Sequence, residues 1–173
     1  FILTMPATII GSIFLLIGNF PINGWSDKMA SIFGANWQTP LNQVSGATFD
    51  ILALIAVFGI AYAYTRNEGH EAVPAGILGI ISFLIVTNAF VVTEAGEVVG
   101  GVIPKAWTGG QGMICAIIIG LLVGFIYSLF LNKDIRIKMP ESVPTGVSNA
   151  FTALIPGVVI GTGSMIIYVV CDA

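Results

Sequence analysis

The chain has 173 residues, 56% hydrophobic and 9% charged, with a formal net charge of −3. A soluble domain carries about 25% charged residues, so this one has too few to cover a water-facing surface. Its apolar runs reach the roughly 18 residues that mark a membrane span, and they are continuous rather than alternating, which excludes a β-barrel. The weak charge, with no basic patch, gives nucleic acid nothing to bind. The expected fold is all-α: a polytopic transmembrane helical bundle of about five spans, with the lipid bilayer as its solvent.

In chain order, residues 1–20 read as a first span, too long for a signal-peptide core. The run starts at Phe1 without an initiator Met, which reads as a truncated start. Gly11 and Gly18 share one face of it. Residues 21–42 form a polar connection in which Trp25 and Trp37 suit a membrane–water interface and residues 27–33 a short interfacial helix. A second span covers 44–64, followed by a tight charged turn at 66–71. The third covers 72–92, with Pro74 in its first turn, where proline is tolerated. A Gly-rich connection with Glu94 and Glu97 leads to a fourth span at 111–131. After the basic loop 132–146 comes a fifth span at 147–170, interrupted by Pro156. Prolines disfavour helix, so the chain should break at Pro140 and Pro144 and restart near Thr145 or Ser148, with Ser148 and Asn149 as capping types.

Orientation follows the loop lysines and arginines. Arg66, Lys133, Arg136 and Lys138 mark one side against Lys28 and Lys105 on the other, so the first four face the cytoplasm. Five spans from that start leave Cys171 outside.

Three stretches carry a family resemblance: T-M-P-A-T-I-I-G-S-I-F-L-L-I-G-N-F-P-I at 4–22, W-T-G-G-Q-G-M at 107–113 and K-M-P-E-S-V-P-T-G-V-S-N-A-F-T-A-L-I-P-G at 138–157. In this order they resemble enzyme IIC, the sugar-translocating membrane component of the bacterial phosphotransferase system, in its lactose/cellobiose/diacetylchitobiose branch. Family members are more than twice as long, so residues 1–173 resemble the amino-terminal, scaffold and dimerisation half. The resemblance implies a multi-pass protein of the bacterial cytoplasmic membrane. It also implies a homodimer, a β-linked disaccharide as substrate in the full-length protein, and a phosphorylated enzyme IIB subunit as partner. The family's Asn-Glu-Pro type motif and its sugar-site histidine do not occur here. The chain alone is therefore expected to be inactive, with no catalytic residue, cofactor or metal.

Asp50 falls about six residues into the second span, roughly 9 Å deep at the helical rise. An intramembrane carboxylate is costly, so it is either functional or tied to an interface or a neighbouring helix. Gln111, Lys138, Glu141 and Asn149 are the substrate-path candidates. Lys138 and Glu141 line a cytoplasmic mouth or form a solvated loop pair. The amides Gln111 and Asn149 meet sugar hydroxyls or satisfy freed backbone groups, and for Asn88 the second role is favoured. His70 lacks the partners a metal or acid–base site needs, and it does not match the family's histidine. Cys115 and Cys171 read as packed thiols, without spacing for a disulfide or metal. Gly120/Gly124 and Gly157/Gly161 are small-xxx-small pairs that fit either a dimer or packing within one chain. Two other readings compete with the half-transporter: a complete small channel or assembly scaffold lined by Asp50, Asn88, Gln111 and Asn149, and a proton-coupled carrier using Asp50.

Overall fold

The computed structural model describes residues 2–93, 96–138, 140 and 142–172. A short 3-10 turn at Ile2–Thr4 leads into α1 (Met5–Gly18), with Pro6 in its first turn. Asn19 closes α1: its backbone and side-chain amides both donate to the Leu15 carbonyl, at 3.0 and 3.1 Å. The expected interfacial helix is α2 (Trp25–Phe33), set between Gly24 and Gly34, both at positive φ. The Trp25 indole donates to the Ile17 carbonyl at 3.0 Å and folds this connection back onto α1.

The second crossing begins earlier than its polar residues suggest. α3 (Gln38–Phe49) takes in the last part of the predicted connection, residues 38–42, and α4 (Leu52–Asn67) follows after a break at Asp50 and Ile51. Gln38 is recruited by donating to the Gly18 carbonyl at 3.0 Å, at the end of α1. Gly11 and Gly18 are buried on α1 and lie against α3, as their shared face predicts. Thr48 occupies the space that a Cβ at Gly11 would need.

α4 ends in a Schellman motif, which returns orphan carbonyls to the backbone. His70 N–H donates to the Thr65 carbonyl and Gly69 N–H to that of Arg66, with Gly69 at φ 81°. α5 (Val73–Val86) carries Pro74 in its first turn, as predicted, but stops well short of residue 92. The apolar run continues instead as an antiparallel hairpin, β1 (Phe90–Val92) with β2 (Val98–Gly100), in which Val91 faces Val99. β-Branched residues suit a strand as well as a span, and the extended Thr87 ends the helix.

A short helix, α6 (Lys105–Thr108), and a 3-10 turn at Gly110–Gly112 lead into α7 (Met113–Asn132). The last crossing is split into α8 (Thr145–Thr152) and α9 (Leu154–Asp172). The division falls at Ala153 because Pro156, three residues on, has no N–H for the Thr152 carbonyl. α8 starts at Thr145 as predicted, but its cap is Pro144. Ser148 and Asn149 lie inside it rather than capping it, and the Ser148 carbonyl accepts the Thr152 hydroxyl at 2.9 Å.

Three helical stretches, Gln38–Asn67, Gly110–Asn132 and Thr145–Cys171, are long and apolar enough to cross a membrane, and α1 and α5 are shorter apolar helices. α4, α5, α7 and α9 share one core, in which small residues such as Ala53, Ala61 and Ala116 pack around Val57, Val123, Phe83 and Tyr127. Gly120 and Gly124 on α7 face Ile60 and Tyr64 of α4. That pair therefore serves packing within the chain, where backbones must approach closely because lipid gives no hydrophobic drive. Gly157 meets Leu78 of α5, whereas nothing lies within 4 Å of a Cβ at Gly161.

Candidate functional site

Polar groups collect at the two ends of the bundle. At one end, the α4–α5 turn and the loop after α7 are joined by a 2.8 Å hydrogen bond between His70 Nε2 and Asn132 Oδ1. Arg66, Lys133, Arg136 and Lys138 thus share one end, and Lys105 lies at the other, against the break after α3. The charge asymmetry used to orient the chain is a feature of its three-dimensional form.

The loop after α7 is organised by Asp134. A second Schellman motif ends the helix, with Ile135 N–H donating to the Phe130 carbonyl and Asp134 N–H to that of Leu131. Asp134 takes the left-handed position at φ 56°, which aspartate tolerates better than most residues. Its carboxylate accepts Arg136 Nε at 2.8 Å and pairs with Lys138. The Lys138 hydrogen bond first, and then that of Arg136, holds the Asp134 carboxyl below the ordinary aspartate value of 3.8. A lowered folded-state value means the contribution is complete above the ordinary value and is lost as pH falls through the folded one. A spin label at Ile135 should keep one mobility from neutral pH down to the ordinary aspartate range and gain mobility only below it. Asp134→Asn keeps the backbone preference, removes the charge and should leave the label mobile at every pH.

Of the four path candidates, Lys138 is exposed and engaged by Asp134, and Glu141 lies outside the described residues. Asn149 is half-buried at the same end and lines a cavity of about 440 Å³ between α5 and α8 with Glu71, Pro74 and Gly146. Gln111 is exposed at the opposite end, in the turn before α7. Asn88 and Asp50 also lie at that end, so the four residues a channel would need do not converge.

Asp50 sits at the helix break rather than along a helix. Its carboxylate is 3.4 Å from Lys105 Nζ, and its carbonyl, freed by the break, accepts the Thr108 hydroxyl at 2.6 Å. Gly109 lies across the same break, with its Cβ position 3.0 Å from the Phe49 carbonyl oxygen. Asn42, Gln43, Asp50, Lys105 and Thr108 line a cleft of about 200 Å³ there. Sequence spacing did not single out Lys105, Thr108 or Asp134. Within the packed helices, the buried polar side chains among the described residues are small hydroxyls such as Thr65, Ser82, Ser128 and Ser164. Thr65, Ser82 and Ser128 place hydroxyls in the core without a partner among the described residues. No group of His, Cys, Asp and Glu among the described residues is arranged to hold a metal.

The family model "Phosphotransferase system, EIIC" matches residues 1–173, the whole chain. The chain belongs to the EIIC family. Its curated relatives include the "Lichenan permease IIC component" of Bacillus subtilis (strain 168), 43% identical over 90% of this chain and 36% of the relative. Another is the "PTS system cellobiose-specific EIIC component" of Geobacillus stearothermophilus, 41% identical over 90% of this chain and 36% of the relative. Among solved structures, the transporter ChbC, the IIC component of an N,N'-diacetylchitobiose-specific phosphotransferase system, superposes with a TM-score of 0.91. It is 45% identical and covers 98% of this chain, which in turn spans 40% of ChbC. The chain thus spans well under half the length of these EIIC relatives.

Proposed function

We propose that this chain is the amino-terminal scaffold of a sugar-translocating EIIC permease. The full-length protein sits as a homodimer in the bacterial cytoplasmic membrane. It carries a β-linked disaccharide of the cellobiose or diacetylchitobiose kind inward, and a phosphorylated EIIB subunit donates the phosphoryl group. The likeness to cellobiose, lichenan and diacetylchitobiose components supports the substrate class.

One observation carries the division of labour. The packed interior of these helices offers small hydroxyls and apolar side chains, with no buried carboxylate or amide among the described residues. A disaccharide site needs several convergent polar groups to replace the water its hydroxyls lose. Gln111 and Asn149 are at opposite ends of the bundle and do not supply such a site together. The scaffold therefore embeds and associates, and sugar binding belongs to the remainder of the permease. Cellobiose and diacetylchitobiose titrations should give heat only with an extended chain that restores that remainder. Equal affinity in residues 1–173 alone would overturn the scaffold reading and return attention to the Asn149 cavity.

A further inference from the structure

Cys115 and Cys171 are 56 positions apart, and the fold brings them together. Cys115 lies in the first turn of α7 and Cys171 in the last turn of α9. Both line one pocket of about 220 Å³, with Phe83, Thr87, Asn88 and Tyr168 among its other walls. Both are free, Cys115 half-buried and Cys171 exposed. The pocket is at the bundle end away from Arg66 and Lys133, the outer end by the positive-inside count. Thiols on that side meet a more oxidising compartment than the cytosol.

We propose that Cys115 and Cys171 form a reversible intramolecular disulfide that staples α9 to the start of α7. The exposed thiol is the entry point. Cys171 loses its proton to water, and its thiolate attacks one sulfur of a small-molecule disulfide. That S–S bond breaks, a mixed disulfide forms on Cys171 and one thiolate leaves. Cys115, deprotonated in turn, attacks Cys171 Sγ across the pocket and expels the second thiolate. In net terms, two protein thiols are oxidised to one disulfide, and the small disulfide is reduced to two thiols. Tyr168 and Asn88 flank the bond once it forms.

The test treats membranes containing the intact permease with glutathione disulfide or with dithiothreitol. Free thiols are then blocked with a maleimide, and the peptides are mapped by mass. The oxidised sample should contain a Cys115–Cys171 linked peptide within one copy, and dithiothreitol should return both cysteines to maleimide labelling. In Cys115→Ser, Cys171 should stop at the glutathione adduct. Full maleimide labelling of both cysteines after oxidation would overturn the proposal. A Cys171–Cys171 link between two copies would overturn it equally, since the pocket would then not be the site of closure.

Discussion

Gly112→Ala should be the most damaging single methyl that can be added to this chain. The turn at Gly110–Gly112 carries the backbone from α6 into α7, and Gly112 is buried in it. A Cβ at Gly112 would fall on the carbonyl oxygen of Trp107, 2.9 Å from that carbonyl carbon and 3.1 Å from Phe83 Cζ. The obstacle is backbone, which cannot swing aside as a side-chain tip can. Moving it also moves Thr108, whose hydroxyl satisfies the Asp50 carbonyl at the helix break. Overpacking costs typically about 1–3 kcal/mol, and the freed carbonyl adds roughly 1–3 kcal/mol more if it stays buried. Gly110→Ala is the control, since nothing lies within 4 Å of a Cβ there. Thermal unfolding in detergent should show Gly112→Ala melting well below wild type and Gly110→Ala close to it. Equal melting of the two variants would mean that the turn is soft and does not hold the break.

This turn shows which parts of the architecture a reading of residues can reach. W-T-G-G-Q-G-M reads as a turn into a helix, and the apolar run after it becomes α7 with bounds close to those predicted. Gly11 and Gly18 announce a close-packed face, and prolines announce both the break before α8 and the one after it. Each of these signals is local, carried by residues whose backbone demands are strong whatever surrounds them. What escapes notice depends on distant partners. α3 hides behind Gln38 and Asn42, which read as connection until α1 is alongside to take the Gln38 amide. The hairpin hides because Phe90, Val91 and Val92 are as apolar as the span they extend. The break at Asp50 has no proline or glycine, and its stabilising groups, Lys105 and Thr108, arrive more than fifty positions later.

The polar sites divide in the same way. Asp134, Arg136 and Lys138 are two residues apart in turn, so their cluster was within reach of a spacing argument, yet only the left-handed backbone of Asp134 turns the three together. Asn149 and Gln111 look equivalent as amides at span ends. Only the fold separates them, one beside the α5–α8 cavity and the other at the far end of the bundle.

The two glycine pairs make the dependence on partners testable. Gly120/Gly124 and Gly157/Gly161 have the same spacing, and the sequence offers no reason to rank them. In the fold, a Cβ at Gly120 would stand 3.0 Å from Ile60 Cβ and 3.1 Å from the Val57 carbonyl oxygen, whereas one at Gly161 would meet nothing within 4 Å. Gly120→Leu should therefore force α4 and α7 apart. Those two helices carry most of the core, from Ala53 and Val57 to Ala116 and Val123. Even the first carbon needs its neighbours to give by tenths of an ångström, and the remaining three have no room, so a loss at or above the ~3 kcal/mol upper end for overpacking is expected. Gly161→Leu should change unfolding by no more than about 0.5 kcal/mol, as at an open surface site. If it instead weakens association between copies while unfolding stays unchanged, the Gly161 face is the one that meets the second subunit. If Gly120→Leu melts like wild type, the α4–α7 seam is not the close-packed contact that its glycines describe.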